Sequence, residues 1–141
     1  VELVPSLAEL LSHAQVVSLH CPSTPETYHI LNAETFHLMP RGSYLINVAR
    51  GALIDEAALL EALRSGHLAG AALDVFDPEP PQANHPLFAL PNTICTPHIG
   101  SYTDASVLRM QVMACEQIAS ALRGERPTNL VNADVWGHQR R

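Results

Sequence analysis

Apolar positions along this chain gather into short unbroken runs, each stopped by a polar or charged group. Gln15 to Leu19 stops at His20, and Ser43 to Val48 at Arg50. Ala69 to Val75 contains Asp74 near its end, and Thr93 to Cys95 runs into Pro97-His98. Runs of this length bounded by turn residues read as strands, and their continuity predicts parallel strands buried on both faces. Between them the apolar period changes to that of a helix. Ser6 and Glu9 have the capping-box spacing ahead of Leu7, Leu10 and Leu11. Asp55 is placed to cap a helix running to Arg64, with Leu59, Leu60 and Leu63 as its buried stripe and Gly66 as its left-handed stop. Two short helical turns are expected at Thr27 to Leu31 and Ala33 to Leu38. Strand, helix, strand in this order is the pattern of an α/β fold with a parallel sheet.

Beyond the third run, five prolines between Asp77 and Pro91 exclude regular structure and predict a stiff loop with one or two turns. Asp104 to Leu122 is then the longest helix. Val107, Met110, Val112, Met113, Ile118, Ala121 and Leu122 cover more than one of its faces, which predicts burial between two bodies. Gly124 closes it, and Arg126 to Arg141 reads as an irregular, partly frayed tail.

In an open parallel sheet, ligands sit beyond the carboxyl ends of the strands. Arg50, beside Gly51, is a guanidinium in that position, suited to bidentate capture of a carboxylate. Glu79 is stiffened by Pro78 and Pro80, and His98 by Pro97. If their strands are neighbours the two side chains can meet, and a carboxylate beside an imidazole favours its charged form. That makes His98 a candidate general acid. Each residue also has a plainer reading: a surface loop cation, a solvated loop charge, and a turn residue bonded to a backbone carbonyl. The three together favour a site.

The totals narrow the alternatives. A length of 141 residues suits one modest domain, and no apolar run approaches the eighteen residues of a membrane span. The net charge is −6, and basic residues cluster only at Arg140-Arg141, so neither nucleic acid nor a membrane is an expected partner. Cys21, Cys95 and Cys115 are few, odd in number and scattered, which predicts reduced thiols and a cytoplasmic setting. His13, His20, His29, His37, His67, His85 and His138 show no metal-ligand spacing, and no metal is expected. No GxSxG occurs, and Ser18 and Ser101 have no nearby base in a hydrolase-like arrangement, so serine-nucleophile chemistry is disfavoured. No glycine-rich phosphate turn of the GxGxxG kind occurs either.

LHCPSTPETYHILN, LINVARGALIDEAALLEAL, GAALDVFDPEP and TPHIGS, in this order, resemble the signatures of the D-isomer-specific 2-hydroxyacid dehydrogenases. That family includes glyoxylate/hydroxypyruvate reductases and phosphoglycerate dehydrogenases. The resemblance covers Val1 to about Asn132. It implies a Rossmann-like doubly wound parallel sheet, of which residues 1–102 would be the second half, incomplete as given. Residues 103–141 would be a long returning helix and tail that pack on a substrate domain.

The resemblance also implies an oxidoreductase using NAD or NADP on a small 2-oxo or 2-hydroxy acid. Arg50 would bind the substrate carboxylate, His98 would protonate the carbonyl oxygen, and Glu79 would keep His98 protonated. Glu79 further separates the sequence from formate dehydrogenase relatives, which carry Gln there. Asp74 would contact the nicotinamide amide. Val48, Ala49, Arg50, His98, Ile99 and Gly100 would line the nicotinamide end, and Cys21, Pro22 and Thr27 the adenosine and ribose end. The sequence departs from the family in lacking GxGxxG and an N-terminal substrate domain. It is therefore expected to be the C-terminal part of an enzyme, silent by itself. A half sheet would carry an unpaired strand edge, hence a homodimer or a partner supplying the missing half.

Overall fold

Ser6 caps the first helix as its spacing predicts, its hydroxyl accepting a hydrogen bond from the Glu9 amide at 3.2 Å. Helix α1 (Leu7–His13) leads into β1 (Val16–Leu19), and after two prolines the chain enters α2 (Ala33–Leu38). These belong to a computed structural model that describes residues 2–137 of the 141-residue chain. His138 and the Arg140-Arg141 pair, with the last residues of the tail, lie outside the described residues. Strand β2 (Ser43–Asn47), helix α3 (Glu56–Arg64), β3 (Leu68–Leu73) and β4 (Thr93–Cys95) follow, and then α4 (Asp104–Leu122). Asp55 caps α3 by accepting from the amides of Ala57 and Ala58, and Gly66 ends it at φ +66°.

The four strands form one sheet in the order β1-β2-β3-β4, and every pairing is parallel. Asn47 sits beside Leu73, and Leu73 beside Cys95, so the strands end along one rim. Parallel neighbours need a crossover, which α2 and α3 supply for the first two connections. The third runs through the proline-rich segment, whose only regular piece is a 3₁₀ turn at Pro86–Ala89.

Two compact units emerge, Val1–Gly100 and Ser101–Arg141. In the first, the core joins Leu11 of α1, Phe36 of α2 and Leu59 and Leu63 of α3 to Val17, Leu19, Leu45 and Leu73 of the sheet. Burying each such leucine contributes about 1.5–3 kcal/mol. The expectation of strands buried on both faces fails here. Burial alternates along β1 and β2, with Val16 54% and Tyr44 52% exposed, and Ile94 of β4 is 68% exposed. Successive strand side chains point to opposite faces, and the helices of this unit cover only one of them.

Smaller corrections have local causes. Leu60 is only half-buried, and Ala62 takes its place in the α3 stripe. Thr27 to Leu31 is a string of turns rather than a helix, because Leu31 pairs with Ile54 in an isolated parallel bridge. After Arg50 the chain makes a 3₁₀ helix, Gly51–Leu53, before α3. β3 starts at Leu68 and ends before Asp74, and neither Gln15 nor Val48 is in a strand.

In the second unit, Thr103 and Ser106 form a reciprocal capping box at the start of α4. No residue of α4 is buried, and Leu108, Met110, Ile118 and Leu122 are all well exposed. A 3₁₀ turn, Ala133–Val135, interrupts the tail that reads as irregular. Among the described residues no helix is long and apolar enough to cross a membrane.

Candidate active site

β2 ends on Asn47, a fully buried amide that organises the turn after it. Its Oδ1 accepts from the Ala49 amide at 3.0 Å and its Nδ2 donates to the Arg50 carbonyl at 2.9 Å. Arg50 leaves this turn with extended backbone and an exposed side chain, whose Nη1 donates to the Ala49 carbonyl at 2.6 Å. Among the described residues it pairs with no carboxylate, so the guanidinium fork is available to an anion. Gly51 follows because nothing larger fits: an added Cβ would run into the carbonyl group of Phe76 and lie 2.6 Å from the Asp77 nitrogen. The turn carrying Arg50 is thus pressed against the start of the segment carrying Glu79.

Asp74 directly follows β3, and its amide extends the ladder by donating to the Asn47 carbonyl at 2.9 Å. Its carboxylate is buried, 4% exposed, and faces its own chain. Oδ1 accepts from the Thr96 hydroxyl at 2.5 Å and the Ile99 amide at 2.9 Å, and Oδ2 from the Gly100 amide at 2.7 Å. Burial pushes this carboxyl up, but the three hydrogen bonds, aided by nearby His98, outweigh it and hold the group below its ordinary value. Three of a carboxylate's roughly four acceptor positions are therefore occupied by the loop after β4.

That loop holds His98 at φ +55°, a left-handed backbone that costs a non-glycine residue about 1–2 kcal/mol. The grip of Asp74 on the next two amides offsets it. His98 Nδ1 lies 2.9 Å from Glu79 Oε1. A carboxylate only accepts, so Nδ1 carries the proton and Nε2 is left to face a ligand. Glu79 itself stands between Pro78 and Pro80, and the Asp77–Pro78 and Glu79–Pro80 bonds are cis. The side chains of His98 and Glu79 remain 47% and 39% exposed. β2 and β4 flank β3, which sets the ends carrying Arg50 and His98 roughly 10 Å apart across the rim.

The other expected positions divide. Cys21 and Pro22 line one cleft of about 530 Å³ with His20, Ser23, Ala49 and Arg50. Thr27 does not line it but supports it, donating to the Pro22 carbonyl at 2.8 Å. Val48 and Ile99 expose their side chains, at 45% and 46%. Behind Glu79 a second cavity, of about 490 Å³, is walled by Phe76, Phe88, Pro80 and Cys95. The Ser18 hydroxyl lies 2.8 Å from His20 Nε2. Both groups are exposed, and no carboxylate orients the ring among the described residues, so the pair lacks the third member of a nucleophilic triad. Among the described residues no group of three or more His, Cys, Asp or Glu side chains could hold a metal ion.

Asn47 and Thr96 shape the site without having been singled out from the sequence. A polar residue closing an otherwise apolar run was the available signal for Asn47. Nothing in the sequence marks Thr96 as a partner of Asp74.

Residues 1–100 match the family described as D-isomer specific 2-hydroxyacid dehydrogenase, NAD binding domain. A glyoxylate reductase of Thermofilum pendens is 46% identical over 129 residues, covering 92% of this chain and 38% of that protein. The chain therefore spans well under half the length of such relatives. A crystal structure of a Thermus thermophilus protein superposes with a TM-score of 0.86 at 53% identity, covering 92% of this chain and 43% of that one. The crystal structure of a D-isomer specific 2-hydroxyacid dehydrogenase from Xanthobacter autotrophicus Py2, in complex with NADPH and MES, gives 0.76 at 42% identity. It covers 89% of this chain and 51% of that one.

Proposed function

Because this chain belongs to the D-isomer specific 2-hydroxyacid dehydrogenase family, as an NAD-binding domain, we propose that the protein carrying it reduces small 2-oxo acids to D-2-hydroxy acids with NADH or NADPH. The observation that carries this reading is the 2.9 Å pairing of His98 with Glu79 at the strand rim that also bears Arg50, which pairs with no carboxylate among the described residues.

The residues present fit one end of a dinucleotide. The cleft between the ends of β1 and β2 is lined by Cys21, Pro22, Ala49 and Arg50, and the backbone at Val48, Ile99 and Gly100 borders the same rim. When bound, a nicotinamide supplies or accepts the hydride. This chain's residues do the rest. Arg50 takes the substrate carboxylate in two parallel hydrogen bonds and turns the 2-oxo group toward His98. With Nδ1–H held by Glu79, His98 gives its Nε2 proton to the carbonyl oxygen as negative charge develops there. Glu79 stabilises the imidazolium before transfer and fixes the ring's orientation. Asp74 positions the His98 loop, leaving at most one acceptor position for a cofactor amide.

The test is NADH and NADPH oxidation by the full-length protein with glyoxylate, hydroxypyruvate and pyruvate, beside its His98→Ala variant. Activity lost in the variant is expected. Inertness toward all three acids, or an unimpaired variant, ends the proposal.

The exposed apolar sheet face at Val16, Tyr44 and Ile94, together with the short span of its relatives that the chain covers, favours a second reading for the 141 residues alone. Isolated, they are catalytically silent, and the free edge of β1 pairs with a second copy or with further chain. Titration calorimetry of the isolated chain with NADH should register no binding, and micromolar affinity would contradict this. Sedimentation of the same chain should give a species larger than a monomer.

A further inference from the structure

The first turn of α3 holds a second carboxylate–imidazole pair. Glu56 Oε2 lies 2.8 Å from His85 Nε2, and Glu56 Oε1 accepts from the Asp77 amide at 3.2 Å. Unlike His98 and Glu79, these side chains are mostly buried, at 16% exposure for His85 and 22% for Glu56. The His85 ring is packed edge-on to Phe76 and tilted against Phe88, with centroids 5.6 and 5.4 Å away. His85 also leads into the Pro86–Ala89 turn, its carbonyl accepting from the Phe88 amide at 3.0 Å. A single carboxylate therefore holds both ends of residues 77–85, and Glu79 lies inside that span.

The span has little else to hold it. Pro78, Pro80 and Pro81 have no amide hydrogen to donate, and its one internal backbone bond runs from the His85 amide to the Gln82 carbonyl at 3.0 Å. Glu79 is too exposed for packing to fix its side chain, so the position of its backbone decides whether it reaches His98.

We propose that Glu56 and His85 are positioning residues for the proton donor: they clamp the 77–85 segment so that Glu79 meets His98. The proposal rests on the dehydrogenase reading for its kinetic consequence, while the clamp itself can be examined without any activity. A shift of about 1 Å in a catalytic group costs up to on the order of a hundredfold in rate. Losing the clamp should therefore lower kcat and leave the KM for the 2-oxo acid, set by Arg50, nearly unchanged.

Two measurements on the full-length protein decide the matter. Hydrogen exchange of the peptide covering 77–85 should quicken several-fold in Glu56→Ala, with the other strand-end peptides unaffected. In kinetics, Glu56→Ala should lower kcat roughly tenfold in the wild-type background but less than about twofold in Glu79→Gln, since the two act on one chain of contacts. Glu56→Gln, which keeps an acceptor for the Asp77 amide, should recover most of both effects. His85→Ala, which removes the ring held by Glu56, takes the place of Glu56→Ala if that fails to fold. Unchanged exchange at 77–85, or a kcat loss as large without Glu79 as with it, overturns the proposal. A wild-type protein with no 2-oxo acid reduction fails the dehydrogenase reading at the outset, and the exchange result still decides the clamp.

Discussion

Replacing Gly51 by alanine adds one methyl group where two functional segments touch. The new carbon would meet the carbonyl carbon and oxygen of Phe76 and the Asp77 nitrogen, all of them backbone atoms that cannot rotate aside. Ordinary contact begins near 3.4 Å, so even the 2.6 Å approach to the Asp77 nitrogen requires the two segments to part by about 1 Å or more. Overpacking typically costs about 1–3 kcal/mol, and a rigid neighbour puts this site at the upper end, about 3 kcal/mol. A loss of that size lowers Tm by roughly 10 °C. The displacement also falls on Arg50, the preceding residue, and on Asp77, two residues before Glu79. Activity should drop beyond what stability explains, by on the order of a hundredfold in kcat/KM at a temperature where the variant is fully folded. Urea unfolding and steady-state kinetics of Gly51→Ala, with Gly66→Ala beside it, make the comparison. Gly66 sits at φ +66° with no close neighbour, so its alanine variant should lose about 1 kcal/mol and keep its kcat/KM. A Gly51→Ala protein within about 0.5 kcal/mol of wild type and equally active would refute the steric argument.

Two further expectations concern buried polar groups at the strand ends. Asn47→Ala removes both hydrogen bonds that wind the Arg50 turn, and should cost about 2–3 kcal/mol in urea unfolding while raising the KM for the 2-oxo acid; an unchanged KM would separate Asn47 from Arg50. Asp74 has a folded pKa below its unfolded value of 3.8, so the stability it contributes is fully present above that value and is lost as pH falls through the folded one. The gap in unfolding free energy between wild type and Asp74→Asn should thus be wide at neutral pH and narrow steadily below about pH 4. A gap of constant width down to about pH 3 would show that the carboxylate's charge is not what holds the His98 loop.

Much of the site was legible because its residues sit where a run of apolar positions gives out. Arg50 and His98 each follow a strand that its composition alone identifies, and parallel strands put such ends on one rim. Glu79 can meet His98 because β3 and β4 are neighbours, the condition on which their meeting depends. The faces of the strands were not legible, since an unbroken apolar run looks the same whether one or both sides are covered; Val16, Tyr44 and Ile94 differ from Val17, Leu45 and Leu73 only in what lies opposite. Long-range polar contacts were equally hidden. The bonds from Asp74 to Thr96, Ile99 and Gly100 join residues more than twenty positions apart, and Glu56 reaches Asp77 and His85 across a whole β-strand. No local pattern encodes such partners.

The left-handed backbone at His98 has a consequence for redesign. Whatever side chain replaces the imidazole must also accept that twist, so the position filters candidates twice, once by chemistry and once by shape. Asparagine and aspartate adopt such a conformation more readily than most side chains, whereas valine, isoleucine and threonine resist it. A library of alternative proton donors at this position would be thinned by shape first, and any substitution that loosens Asp74 would thin it further.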